Sequence, residues 1–297
     1  MKAGFVSLVG RPNVGKSTLL NAILNTKIAI TSDKAGTTRT LIQGIYHDEQ
    51  SQIVFVDTPG IQKPMHKLGT VLNKKAYTMV QDVDLILFLI DAKAGFGKGD
   101  QFILKRLENA EQPVFLLLNK IDQMPKEKLL ELIMQVKDYY SFQEIIPISA
   151  LTHDNVMHLI ECIKQYLPTH EPYYSDEEIT NLSVRFLVGE MVREKVLQLT
   201  HDEVPHSVTC MVETFEEQDN IVNIQVLIVV DRDSLKKIII GKNGQMLKKI
   251  GSMARSDMEA FLKKKVYLST YVKTIQNWRD REKYLLELGL KDSEEDV

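Results

Sequence analysis

Short apolar runs alternate with amphipathic stretches through the first half of the chain. Positions 5–9, 53–56, 85–90, 114–118 and 145–148 are apolar at nearly every residue, which predicts strands buried on both faces. Between them, positions 16–24, 68–80, 101–109, 126–139 and 155–166 carry apolar residues three and four apart, the period of a helix lying on a sheet. Strand and helix in alternation predict an α/β domain of three layers with a mostly parallel sheet. Residues 41–46 add an antiparallel edge strand, joined to 53–56 by a polar turn.

The texture then changes. Pro168, Pro172 and the acidic Asp176, Glu177 and Glu178 lie in a stretch without period, which predicts a linker over 169–181. A helix at 182–199 follows, then strands at 207–215 and 221–230, a short helix at 234–239 and a glycine turn at 241–244. A longer helix at 245–263, a strand at 266–272 and a last helix at 277–288 complete the order α-β-β-α-α-β-α. This divides the chain into an α/β domain over 1–168 and an α+β domain over 182–297, with no internal repeat.

Composition is that of an ordinary soluble globular protein, with 44% hydrophobic and 26% charged residues, and the net charge of -3 conceals an uneven distribution. From Arg232 to Lys273 there are 11 Lys and Arg against 3 Asp and Glu, so this segment is +8 and the remainder -11. A basic segment on an acidic body predicts a local anionic partner, nucleic acid or a membrane surface. Cys162 and Cys210 offer neither a disulfide framework nor metal-ligand spacing, which predicts a reducing cytosol. The start of the chain does not read as a signal peptide, and the apolar runs fall far short of the ~20 residues that span a bilayer.

The strongest chemical signal is Gly10-Arg11-Pro12-Asn13-Val14-Gly15-Lys16-Ser17, followed by Thr18, between a predicted strand and a predicted helix. Glycines at the ends of this run let successive backbone N–H groups face phosphates at a helix N-terminus. Lys16 then reaches the β and γ oxygens, and the Ser17 hydroxyl ligates Mg²⁺. Asp57-Thr58-Pro59-Gly60 ends a second buried strand, where ligands of open α/β sheets collect. Asp57 is expected to hold Mg²⁺ through water, and the Gly60 N–H to sense the γ-phosphate.

Base identity is read from Asn119, Lys120 and Asp122. The Asp122 carboxylate can accept from both the ring N–H and the exocyclic amine of guanine, a pair of donors that adenine lacks. Asn119 would brace the loop, the Lys120 stem would cover the base, and Ser149-Ala150-Leu151 would offer a backbone N–H to the guanine oxygen. Thr37 and Thr38, in Gly36-Thr37-Thr38-Arg39, form a candidate mobile segment whose threonine closes on Mg²⁺, with Thr38 favoured. Lys16, Thr38 and Gly60 are the candidate catalytic groups.

In the basic segment, Ile240-Gly241-Lys242-Asn243-Gly244 separates two predicted helices. Glycines there allow a phosphate backbone close, helix N-termini favour anions, and Lys242, Lys248 and Lys249 supply cations. Ile239, Ile240 and Leu247 are expected to form an apolar floor for bases, and Trp278 to anchor the last helix in the core.

The four nucleotide elements resemble those of translation-factor-like GTPases. One departure stands out: Ile61 occupies the position where Ras-like proteins carry a glutamine that orients the attacking water. GTPases with an apolar residue there often use K⁺, held partly by an asparagine that matches Asn13; the other reading is that Asn13 only stabilises its loop. The glycine turn and element order are similar to those of a type II KH domain. Together, G-R-P-N-V-G-K-S, G-T-T-R, D-T-P-G-I, N-K-I-D, S-A-L and I-G-K-N-G resemble the Era family of GTPases over nearly the whole chain.

That resemblance implies slow GTP hydrolysis, with binding to the 3′ end of small-subunit (16S) ribosomal RNA and a part in assembling that subunit. It also implies a cytoplasmic monomer with peripheral association at the inner face of the membrane. Two switch segments, residues 28–40 and 60–70, would order with GTP. Two rival readings stay open: an RNA-binding protein whose nucleotide domain is only structural, and a tRNA-modifying GTPase. The latter family needs a C-terminal cysteine, whereas this sequence closes on Asp292-Ser293-Glu294-Glu295-Asp296-Val297.

Overall fold

A computed structural model describes residues 1–34, 36–61, 66–288 and 290. Part of the second expected switch segment, residues 62–65, and the closing 292–297 lie outside the described residues. The chain forms two compact units that divide between Asn181 and Leu182, except that residues 66–68 group with the second.

The first unit runs β1 (Lys2–Gly10), α1 (Lys16–Leu24), β2 (Ile42–His47), β3 (Ser51–Asp57), α2 (Lys67–Gln81), β4 (Leu85–Asp91), α3 (Lys98–Leu107), β5 (Val114–Asn119), α4 (Lys126–Val136), β6 (Glu144–Ile148) and α5 (Val156–Tyr166). Its six strands are ordered β2-β3-β1-β4-β5-β6, and only β2 runs antiparallel to its neighbour. Every residue of β3 and β5 is buried, as expected of strands covered by helices on both faces. The motif-bearing turns leave the carboxyl ends of β1, β3, β5 and β6, so one edge of the sheet gathers them.

The expected linker differs from the reading. Residues 169–181 belong to the first unit and pack along the free edge of β2. The Ile45 N–H donates to the Ile179 carbonyl at 3.0 Å, and the Gln43 N–H to Asn181 Oδ1 at 3.1 Å. Gln52 accepts from the Tyr173 N–H at 2.6 Å and donates to the Tyr174 carbonyl at 2.8 Å. An edge strand presents unpaired backbone groups that need partners, and this strap supplies them.

The second unit runs α6 (Val184–Leu199), α7 (Val204–Ser207), β7 (Val208–Glu217), β8 (Ile221–Val230), α8 (Asp233–Ile240), α9 (Gln245–Leu262), β9 (Lys265–Thr274) and α10 (Glu282–Glu287). β8 is central, antiparallel to β7 and parallel to β9. Parallel neighbours require a crossover, so α8, the glycine turn and α9 must lie between β8 and β9 in the chain. The expected helix over 277–288 is broken: a 3-10 turn, Trp278–Asp280, precedes α10. Trp278 is fully buried and its indole N–H donates to the Ser207 carbonyl at 3.0 Å, fixing that turn in the core. No helix among the described residues is long and apolar enough to cross a membrane.

Candidate functional site

The loop between β1 and α1 is shaped by what cannot fit. A Cβ on Gly10 would lie 2.5 Å from the Leu89 carbonyl oxygen. Gly15 adopts φ +101, and a Cβ there would strike Asn119 Nδ2 at 2.2 Å. The Lys16 ammonium curls over the loop, donating to the carbonyls of Gly10 and Arg11 at 3.1 Å each. Two of its three donors are thus engaged and one is left for a phosphate oxygen. Gly60 sits directly on the loop, since a Cβ there would come within 2.8 Å of the Pro12 nitrogen. The Thr58 hydroxyl ties the same turn to β1 by donating to the Leu8 carbonyl at 2.8 Å.

Arg11 does not point its charge into this cradle. Its Nε donates to Asp100 Oδ1 at 2.8 Å, a fully buried carboxylate at the start of α3. Only the Arg11 backbone faces Lys16. Asp100 escaped the sequence reading because the pair is separated by 89 positions.

Ser17, Thr38 and Asp57 converge as a metal site should. The Ser17 hydroxyl donates to Asp57 Oδ2 at 2.6 Å and lies 2.9 Å from Thr38 Oγ1. Thr37 instead donates its hydroxyl to the Lys34 carbonyl at 2.6 Å, so Thr38 is the threonine brought to the cluster. Asp57 Oδ1 is buried without a hydrogen-bond partner among the described residues. One carboxylate and two hydroxyls are hard oxygen donors that suit Mg²⁺, and the orphaned Oδ1 gives such a cation, or its water, a place.

Burial pushes the Asp57 carboxyl up to about 6, against the opposing pull of Lys16. Burial likewise pushes the Lys16 ammonium down to about 8, with Asp57 acting the other way. Because the folded Asp57 value lies above the unfolded one, the metal-free fold gains stability at low pH and loses it as pH rises through about 6. Cation binding has the opposite dependence, since the proton must leave first. Mg²⁺-dependent tightening of nucleotide binding should therefore weaken by up to about tenfold per unit below about pH 6. Titrating Mg²⁺ against a fluorescent guanine nucleotide across that range checks this, and a flat response would contradict it.

The base-recognition loop is braced as the reading expects of Asn119. Its Nδ2 donates to the Val14 carbonyl at 2.8 Å, and its Oδ1 accepts from the Ala150 N–H at 3.0 Å. Lys120, at φ +70, donates to the Asn13 carbonyl at 2.7 Å and to Asp91 Oδ2 at 2.6 Å. Asp122 Oδ1 accepts from the Ser149 hydroxyl at 2.6 Å, which fixes the carboxylate plane. The Ser149 and Ala150 amides are both engaged within the protein, while the Leu151 side chain is exposed. The Asn13 side chain donates to the Asp33 carbonyl at 2.5 Å, joining the phosphate loop to the first switch segment.

Ile61 is buried at 4% exposure, packed in the cluster that contains Val9, Phe88, Ile90 and Ile103. The position that orients water in Ras-like proteins is here part of the core.

In the second unit, Gly241 adopts φ +71, and a Cβ there would meet Met246 Cβ at 2.7 Å. Gly244, at φ +76, has nothing within 4 Å of its Cβ direction, which leaves a gap at the start of α9. A groove of about 480 Å³ continues from it between α9 and β9. Leu247 and Leu268 line it with apolar surface, while Lys248, Ser252, Arg255 and Thr270 supply polar groups. Lys242, Asn243 and Lys249 are exposed beside it.

Two expectations change here. Ile239 is fully buried and belongs to the core, so Leu268 takes its place in the apolar lining. Ser252 and Arg255 were missed, although they follow Lys248 at helical spacing of four and three and so share its face. Elsewhere in the basic segment, Lys264 is paired with Glu217 at 2.6 Å.

Two family models match the chain: one described as 50S ribosome-binding GTPase over residues 5–120, and a KH domain over residues 203–279. Among solved structures, a variant of Aquifex aeolicus Era bound to GDP·AlF4⁻ is 42% identical with a TM-score of 0.95. The match covers 98% of this chain and 100% of that one. A complex of Era with MgGDPNP and nucleotides 1506–1542 of 16S ribosomal RNA matches at the same 42% identity, the same coverage and a TM-score of 0.95.

Proposed function

This chain belongs to the Era family of GTPases, and from that premise we propose that it is a GTP-driven switch for RNA at the 3′ end of 16S ribosomal RNA. Its place is in assembly of the small ribosomal subunit. The observation that carries the reading is the presence, on one chain, of a complete guanine-nucleotide site and a KH groove with Lys248 and Arg255 along one side.

Catalysis by this chain's own residues is largely positioning and charge. The amides of the phosphate loop and Lys16 hold the β and γ phosphates, and Gly60, seated on Pro12, presents its N–H to the γ-phosphate. Ser17, Thr38 and Asp57 would hold Mg²⁺, which when bound neutralises charge between the β and γ oxygens. With Ile61 in the core, no side chain at that position can orient water, so intrinsic hydrolysis is slow. Asn13 would hold K⁺, which when bound supplies part of the missing charge stabilisation, while its amide nitrogen anchors the Asp33 carbonyl. The burial of Ile61 also favours the second reading, a nucleotide domain that binds without turning over.

In the groove, the gap at Gly244 takes a phosphate, Lys248 and Arg255 face the backbone, and bases lie against Leu247 and Leu268. The protein acts as a cytoplasmic monomer with peripheral contact at the inner face of the membrane. One combined experiment tests the reading: phosphate release with and without potassium and RNA, followed by crosslinking to total RNA. Multiple turnovers stimulated by potassium, with contacts concentrated at the 3′ end of small-subunit RNA, are expected. Absent turnover would favour the passive reading, and scattered contacts would overturn the RNA assignment.

A further inference from the structure

We propose that Asp91 is a positioning residue for the guanine nucleotide, acting by holding the Lys120 side chain across the base pocket. The proposal rests on the guanine-nucleotide reading of the site and adds to it a residue that no nucleotide motif contains.

Asp91 closes β4, opposite Asn119 in the register of β4 with β5. The Ala92 N–H donates to the Asn119 carbonyl at 2.8 Å, so the two strand ends leave the sheet together. Asp91 Oδ1 accepts from the Ala94 N–H at 3.1 Å, which fixes the carboxylate and aims Oδ2 at Lys120 Nζ, 2.6 Å away. Both partners are largely shielded, with side-chain exposures of 17% and 28%. A pair shielded in this way keeps more of its attraction than a solvated surface pair.

The lysine needs such a hold. Its backbone is left-handed at φ +70, a conformation a side-chain-bearing residue adopts only when its surroundings fix it. Among the described residues, its other acceptor is the Asn13 carbonyl at 2.7 Å. Asp91 and Asn13 thus pin the ammonium from two loops and fix the far end of the four-carbon stem, which can then lie on the face of a base. Without Asp91 the ammonium keeps one backbone acceptor, and hydration can draw it away from the pocket. Asn13, in the phosphate loop, in turn reaches Asp33, so looseness at Lys120 passes to that loop and to the first switch segment as well.

The test is a double-mutant cycle on fluorescent GDP dissociation in the full chain: wild type, Asp91→Asn, Lys120→Met and both together. Asparagine keeps an oxygen for the Ala94 N–H and removes only the charge that holds Lys120. Asp91→Asn is expected to speed dissociation about tenfold, with no further change when added to Lys120→Met. KM for GTP should rise with it while kcat does not follow. Unchanged dissociation would overturn the proposal, and so would additive losses in the double variant, because Asp91 would then act on something other than Lys120. Failure of the wild-type protein to bind GDP would instead defeat the guanine-nucleotide reading beneath it.

Discussion

Replacing Gly244 by aspartate is expected to remove single-stranded RNA binding, by about a hundredfold or more, while GTP binding stays at the wild-type level. The position has open space around its Cβ direction, so the new side chain meets no steric barrier. Its φ of +76 is left-handed, which aspartate and asparagine tolerate better than other side chains. The loss therefore comes from charge: a carboxylate stands where an RNA phosphate approaches, with Lys248 and Arg255 now partly satisfied from within. Gly244→Asn is the matching control, equal in size and backbone demand but neutral, and should lose far less. Gly241 is a poorer site for this test, since a Cβ there collides with Met246 and reshapes the turn. Fluorescence anisotropy with an unpaired RNA oligonucleotide measures both variants, and equal losses would mean that shape rather than charge governs the groove.

The second large effect is expected from Asp122→Asn. Guanine presents two donors to this side chain, and asparagine can accept only one while its amide nitrogen opposes the other. Sites built for a hydrogen-bond pattern reject a ligand lacking it by large factors, so GTP affinity should fall by about a thousandfold. A xanthine nucleotide carries an acceptor in place of the exocyclic amine and should bind the variant better than GTP does. The Ser149 hydroxyl can still donate to the remaining carbonyl oxygen, as it does to Asp122 Oδ1 at 2.6 Å, so the loop keeps its brace. Competition binding with the two nucleotides reads the switch directly. An unchanged preference for GTP would place base recognition elsewhere.

What was legible in the sequence was local. The phosphate loop, Asp57 and Asn119 to Asp122 stand at the ends of strands whose apolar runs are plain, so motif and context could be read together. Gly241 and Gly244 were legible because left-handed turns between helices select glycine. Contacts between distant positions were not. Arg11 turns to Asp100, and Asp91 meets Lys120, across strands that only the sheet order brings together. Residues 169–181 read as a linker because their hydrogen bonds to β2 and β3 are scattered single contacts, which leave no period in the sequence. Ile239 was placed on the groove floor, although its helix turns it inward. Ser252 and Arg255 are legible from the sequence, since helical spacing from Lys248 points to both.

In the proposed function nucleotide state sets how tightly RNA is held, and linkage requires the dependence to be reciprocal. The direct measurement is the dissociation constant for an unpaired RNA carrying the 3′-terminal small-subunit sequence, taken with a non-hydrolysable GTP analogue and again with GDP. Tighter binding in the analogue form is expected, with RNA tightening the analogue over GDP by the same factor. Identical RNA affinity in the two nucleotide states would contradict the account.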